Sequence, residues 1–153
     1  MPEPVAEDLN LQGHCYCGAL RFAVSVPAGS APIFTAYCHC DSCRRAHAAP
    51  LYHVACVEQS QFVITAGEEL LEEFTKPGGT ITRAFCRTCG SRVLNRFGAW
   101  KPGGRVPLAF FPNLLTEEAQ RALPEALRPA RDNQPHESVL DREALERHFA
   151  SLG

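Results

Sequence analysis

Seven of the eight cysteines in this chain sit in three short clusters. Cys15 and Cys17 lie in "GHCYCG", Cys38, Cys40 and Cys43 in "YCHCDSCRRAH", and Cys86 and Cys89 in "FCRTCGS". Only Cys56 stands apart. Clusters this tight leave two ways to organise a fold. One is a disulfide framework, which needs an oxidising compartment. A Cys-x-Cys bridge would close a strained ring, so the spacing suits disulfides poorly. The other is metal binding, in which a short loop aims several sulfurs at one soft ion. The opening residues, "MPEPVAEDLNLQG", are acidic and lack an apolar core, so they do not read as a secretory signal. No apolar run approaches the length of a bilayer span, so no membrane partner is expected. The expected compartment is therefore the cytoplasm, where thiols stay reduced and available to metal.

The 153 residues, 45% hydrophobic and 21% charged, suffice for one globular domain with a buried core. Short alternating segments dominate. In "ALRFAVSV", Leu20, Phe22, Val24 and Val26 share one face, the period-2 pattern of a half-buried strand. "IFTAY" reads as a strand leading into the triple-cysteine loop, and "LYHVACV", "QFVIT", "LLEEFT", "TITRAF", "SRVLNRF" and "RVPLAFF" continue the pattern. "KPGG", residues 76–79, predicts a hairpin turn. Helical character is confined to the end. "TEEAQRAL" carries a Thr cap and first-turn acids, and "DREALERHFASL" predicts a second, surface-packed helix. The expected fold is mainly β: several short antiparallel strands with short C-terminal helices. It forms a single zinc-binding domain over 1–153, with the motifs in about 10–112 and a C-terminal extension at 113–153.

The cysteine pairs "CYC" and "CRTC" complement each other. Joined, Cys15, Cys17, Cys86 and Cys89 make a closed tetrahedral site of four thiolates, tying two distant segments together as a structural zinc does. Gly90 after Cys89 allows the turn that points backbone N–H groups at sulfur. "CHCDSC" then holds three sulfurs. Three protein ligands and an open position are the usual arrangement of a catalytic zinc. Either the position stays open for a substrate atom, or Cys56 or a histidine closes it. In "LYHVACV", Cys56 shares a face with Tyr52 and Val54, which is the pattern of a small core residue.

Charge adds a further constraint. No acidic residue lies between Glu73 and Glu117, while Lys76, Arg83, Arg87, Arg92, Arg96, Lys101 and Arg105 all do. These cations can offset the negative charge of zinc thiolates, or they can line a pocket for an anionic ligand. The net charge of -2 argues against general attraction to nucleic acid or to an anionic membrane. There is no P-loop, no dinucleotide-binding glycine pattern and no HExxH motif.

"GHCYCGALRF", "YCHCDSCRRAHAAP" and "FCRTCGSRV", in this order and at these separations, resemble the glutathione-dependent formaldehyde-activating enzyme family. That family includes centromere protein V and has the Mss-four-like zinc-binding fold. The resemblance covers about residues 10–112. It implies two Zn2+ per chain: a structural ion on Cys15, Cys17, Cys86 and Cys89, and a reactive one on Cys38, Cys40 and Cys43. The chain departs from the common pattern at Tyr16, where members often carry His, and at Ala48, where they often carry Gly. The activity implied is a carbon–sulfur lyase reaction, in which a thiol such as glutathione adds to formaldehyde or a small aldehyde to give an S-(hydroxymethyl) product. His39, His47, His53 and Tyr52 are acid–base candidates by nearness in sequence. Arg44 and Arg45 could fork onto a carboxylate of glutathione. A homo-oligomer is compatible with all of this. The competing reading is a non-catalytic, zinc-stabilised binding module for a protein, nucleic acid or glutathione. It draws on Phe85, Phe97 and Trp100 interleaved with the basic interval.

Overall fold

Alternation along "ALRFAVSV" does what the sequence predicts. Leu20, Phe22, Val24 and Val26 are all essentially inaccessible to solvent and form the centre of the main core. The computed structural model describes residues 2–152. In it Phe22, Val24 and Val26 belong to β2 (Arg21–Val26), the middle strand of a three-stranded antiparallel sheet, and Leu20 immediately precedes it. On one side β2 pairs with β1 (Leu9–His14), on the other with β5 (Phe62–Ala66). Phe22 stacks on Phe62 with ring centroids 4.9 Å apart, and Phe110 from the second sheet closes the cluster. Each such ring contributes about 2–3 kcal/mol of burial.

The second sheet has seven strands. Its centre is β3 (Phe34–Cys38), β4 (Tyr52–Glu58), β9 (Pro107–Phe110), β8 (Arg92–Phe97) and β7 (Ile81–Cys86), hydrogen-bonded in that spatial order. One edge is β6 (Leu71–Thr75), joined to β7 by the turn foreseen at "KPGG". The other edge is β10 (Asp132–Asn133), which runs parallel to β3, whereas every other pair is antiparallel. Two helices close the chain: α2 (Glu117–Arg121), capped by Thr116, and α3 (Arg142–Ser151), capped by Asp141 and without a buried residue. Among the described residues no helix is long and apolar enough to cross a membrane.

Three elements differ from the sequence reading. Residues 9–14 form a strand within a segment that reads as polar. Leu9 and Leu11 alternate there, and β2 supplies the pairing. Gly13 is required in that strand, because a Cβ would lie 2.4 Å from the Phe22 ring and 2.6 Å from the Leu114 carbonyl oxygen. The triple-cysteine "loop" is half helix: α1 spans Asp41–His47 and starts at Cys40, whose sulfur accepts the Cys43 N–H. Finally, the chain beyond residue 112 is woven into the fold. Leu115 and Leu127 are buried in the main core, and β10 lies against the strand that carries Cys38.

Candidate metal centres and the cavities beside them

The first sulfur cluster forms where two turns meet. "CYCG" follows β1 and "CRTCG" joins β7 to β8, and the two turns are built alike. The N–H of Gly18 bonds to the Cys15 carbonyl and that of Gly90 to the Cys86 carbonyl, with both glycines at φ near +78°. That left-handed conformation suits a residue without Cβ. Tyr16 N–H donates to Ser91 Oγ and so links one turn to the other. The four sulfurs of Cys15, Cys17, Cys86 and Cys89 all lie within 4.8 Å of one another. A tetrahedron of thiolates at zinc bond lengths has edges of about 3.8 Å. The Cys15–Cys17 and Cys17–Cys86 separations of 3.4 and 3.9 Å fall close to that value. Cys15 and Cys86 anchor the cluster in the core, and Cys17 faces solvent.

The second cluster sits at the end of β3 and the start of α1. Cys38, Cys40 and Cys43 converge within 4.8 Å, with Cys38 and Cys40 sulfurs 3.6 Å apart. Among the described residues no other Cys, His, Asp or Glu joins them. Cys56 does not. It lies buried on β4 opposite Phe34, its sulfur contacts the Val57 carbonyl, and burial raises its thiol to about 12. N–H and O–H groups surround the three sulfurs instead. Tyr52 Oη donates to Cys43 Sγ at 3.4 Å, Asn133 Nδ2 to Cys38 Sγ at 3.4 Å, and Arg83 Nη2 lies 3.8 Å from Cys43 Sγ. Such donors stabilise thiolates. Burial, and after it the Cys43 sulfur, pushes the Tyr52 phenol far above its usual range, so it stays a donor.

The histidines take separate roles. His39, between two cysteines, is fully buried, and its Nε2–H donates to Asp132 Oδ1 at 2.7 Å. That bond, with Arg142 beyond it, holds the Asp132 carboxyl below the ordinary carboxylate value. His39, two residues before α1, is thereby tied to β10. His47 stacks on Tyr52 with centroids 4.0 Å apart and meets the edge of Phe111. Burial, followed by the charges of Arg83 and Arg92, lowers it to about 4. His53 points away to the Leu127 carbonyl. Arg44 bonds to the His39 carbonyl and reaches Asp41, while exposed Arg45 shares its Nε–H between both Asp41 oxygens. Phe97 and Trp100 pack on each other, and Trp100 also on Phe34, rather than standing out as a stacking platform.

Two cavities border residues that contact Cys43, Tyr52 in one and Arg83 in the other, while Cys43 itself lines neither. One, about 690 Å³, is walled by His47, Tyr52, Phe111 and Arg92. The other, about 540 Å³, lies between α1 and the β6–β7 hairpin. Ala46 and Arg92 line both. Sequence reasoning did not assign Arg83, Asp132 or Asn133 to this site. Arg83 carried a signal, since it lies in the acid-poor interval on the strand that ends at Cys86. Asp132 and Asn133 carried none.

A family model described as glutathione-dependent formaldehyde-activating enzyme matches residues 10–124. The chain belongs to that family. The matched span takes in both sulfur clusters and ends before β10. The fold is also similar to that of a Rhodobacter sphaeroides protein, known from a structural-genomics crystal structure. The two share 24% identity at a TM-score of 0.55, over 74% of this chain and 94% of that one. No curated protein matches the chain significantly. Membership of a formaldehyde-activating family, together with seven converging sulfurs, identifies the two clusters as sites that could hold metal ions.

Proposed function

We propose that the chain works as a single domain holding two zinc ions, and that it adds a small thiol, glutathione or a close analogue, to formaldehyde at the second. In this reading Cys15, Cys17, Cys86 and Cys89 hold a structural ion, and Cys38, Cys40 and Cys43 hold the reactive one. The donor set supports zinc, since unbridged, converging cysteine sulfurs are what that ion binds most readily in a reducing compartment such as the cytoplasm. The observation that carries the reading is the contrast between the clusters: one has four sulfurs, the other three with no fourth protein ligand among the described residues.

A zinc ion held by three cysteines supplies one further coordination position and lowers the pKa of a thiol that enters it. The rest falls to the protein. Tyr52 and Arg83 point hydrogen-bond donors at the cluster from two sides, so negative charge gathered there is stabilised. The cavity beside Tyr52 and Phe111 gives an aldehyde a partly apolar berth. The thiol sulfur attacks the carbonyl carbon, the new C–S bond forms, and the π pair moves to oxygen. A proton from water or a neighbouring donor completes the S-(hydroxymethyl) product. Tyr52, whose one O–H donates to Cys43 Sγ in the resting protein, shifts that hydrogen bond to the oxygen as charge develops there. His47, neutral at pH 7, packs Tyr52 in position.

The test is the exchange rate between glutathione and its formaldehyde adduct, read by exchange NMR at equilibrium with micromolar zinc-loaded protein. Acceleration should disappear in Cys40→Ser, which keeps the first cluster and still offers an oxygen to cap α1. Absence of acceleration in the wild type, with two zinc ions bound, would sink the reading.

A further inference from the structure

The cavity of about 540 Å³ between α1 and the β6–β7 hairpin has a lining that the sulfur cluster alone does not explain. Arg45, Lys76, Arg83 and Arg92 face it, with Asp41 the sole acid, and Asp41 is already held by Arg44 and Arg45. Among the described residues, no carboxylate pairs with Arg83, Arg92 or Lys76. Arg83 is 8% exposed, and a buried guanidinium normally has every N–H placed. Its Nη2 reaches Ser42 Oγ at 3.2 Å and Cys43 Sγ at 3.8 Å, but Nη1 is buried with no partner. Arg92 lies across the way, its guanidinium over the Phe85 ring at 5.2 Å, which leaves its N–H edge free. Phe74 adds an apolar wall.

Charge balance at the metal accounts for only part of this. Three thiolates on a divalent ion leave one net negative charge, and Arg83, the arginine against Cys43, offsets it. Arg92 and Lys76 make no such contact and remain in surplus. A partly buried set of unpaired cations beside an orphaned N–H is the electrostatic shape of an anion site.

We propose that this cavity is a carboxylate subsite, in which Arg83 anchors a carboxylate of the thiol ligand while Arg92 and Lys76 face it. The proposal rests on the reading that a thiol reaches the second cluster. Arg83 is the physical link between the two, because its Nη2 lies 3.8 Å from Cys43 Sγ while the same residue lines the cavity. The site therefore selects thiols that carry a carboxylate on a flexible arm, as a peptide thiol does, over neutral thiols of the same size.

The experiment is calorimetric titration of the full zinc-loaded chain with three probes. These are glutathione, its diethyl ester (thiol free, carboxylates masked) and S-methylglutathione (carboxylates free, thiol masked). The diester should bind about tenfold to a hundredfold more weakly than glutathione, the range expected for a lost charge-assisted contact. Lys76→Gln, at an exposed position with no side-chain bond among the described residues, and Arg92→Gln should weaken glutathione and leave the diester unchanged. Equal binding of glutathione and diester, with the variants silent, overturns the subsite while leaving the thiol reading intact. If neither free thiol binds, the thiol reading fails, and S-methylglutathione then decides: binding that weakens in both variants supports the subsite, and no binding overturns it.

Discussion

Replacing Ala48 by Gly should make this protein more stable. Ala48 ends α1 with φ 49° and ψ 42°, in the left-handed region, while its N–H closes the helix on the Arg44 carbonyl. A residue with a Cβ is disfavoured there by about 1–2 kcal/mol. Glycine removes that penalty but adds freedom to the unfolded chain, which offsets about 0.4–1 kcal/mol. The Ala48 side chain is exposed, so little burial is lost. The net gain is about 0.5–1 kcal/mol, or a Tm rise of about 2–3 °C for a chain of this size. Ala46→Gly is the control, since Ala46 lies inside α1 and its replacement should lower Tm by a comparable amount. Scanning calorimetry of both zinc-loaded variants reads the difference. A fall in Tm for Ala48→Gly matching that of Ala46→Gly would refute the strain argument.

Asn133→Ala removes a donor to Cys38 Sγ from outside the metal ligands and should weaken zinc at the second cluster about tenfold or more, measured by chelator competition. An unchanged zinc affinity would mean β10 does not tune the site. Cys56→Ala should retain two zinc ions per chain by elemental analysis; loss of one would make Cys56 a ligand after all. His47 gives a pH signature. Its folded pKa, about 4, lies below the 6.5 of the unfolded chain, so the unfolded state takes up the proton first as pH falls. Stability from this group is complete above about pH 6.5 and declines below it, by on the order of 1 kcal/mol at pH 5.5. Denaturant midpoints between pH 7.5 and 5.5 should slope less in His47→Gln, and parallel slopes would contradict the assignment.

The sequence made the sulfurs and the central strands legible because both signals are local. Period-2 alternation at Leu20, Phe22, Val24 and Val26 marks a half-buried strand with no knowledge of its neighbours. Cysteines two or three residues apart announce a shared ion in the same way. What escaped the reading depends on distant partners. The segment "DSCRRAH" is too short to be a helix on its own propensity. It becomes one because Cys40 caps it and Cys43 must turn back toward Cys38. Residues 9–14 offer two leucines among polar residues, and β2 determines their conformation. Asp132 and Asn133 lie more than 90 positions from the residues they hold, so only the folded chain shows that this polar pair braces His39 and Cys38.

The central claim is that the three-sulfur cluster keeps a coordination position for a thiol from outside. Cobalt substituted for zinc reports by its visible absorption how many sulfurs surround it, so the direct measurement is a glutathione titration of the cobalt-loaded chain with metal content followed throughout. The account predicts a saturable spectral change with both metals retained, as one site passes from three sulfurs to four. Spectra already showing four sulfurs at both sites, and indifferent to glutathione, would contradict it.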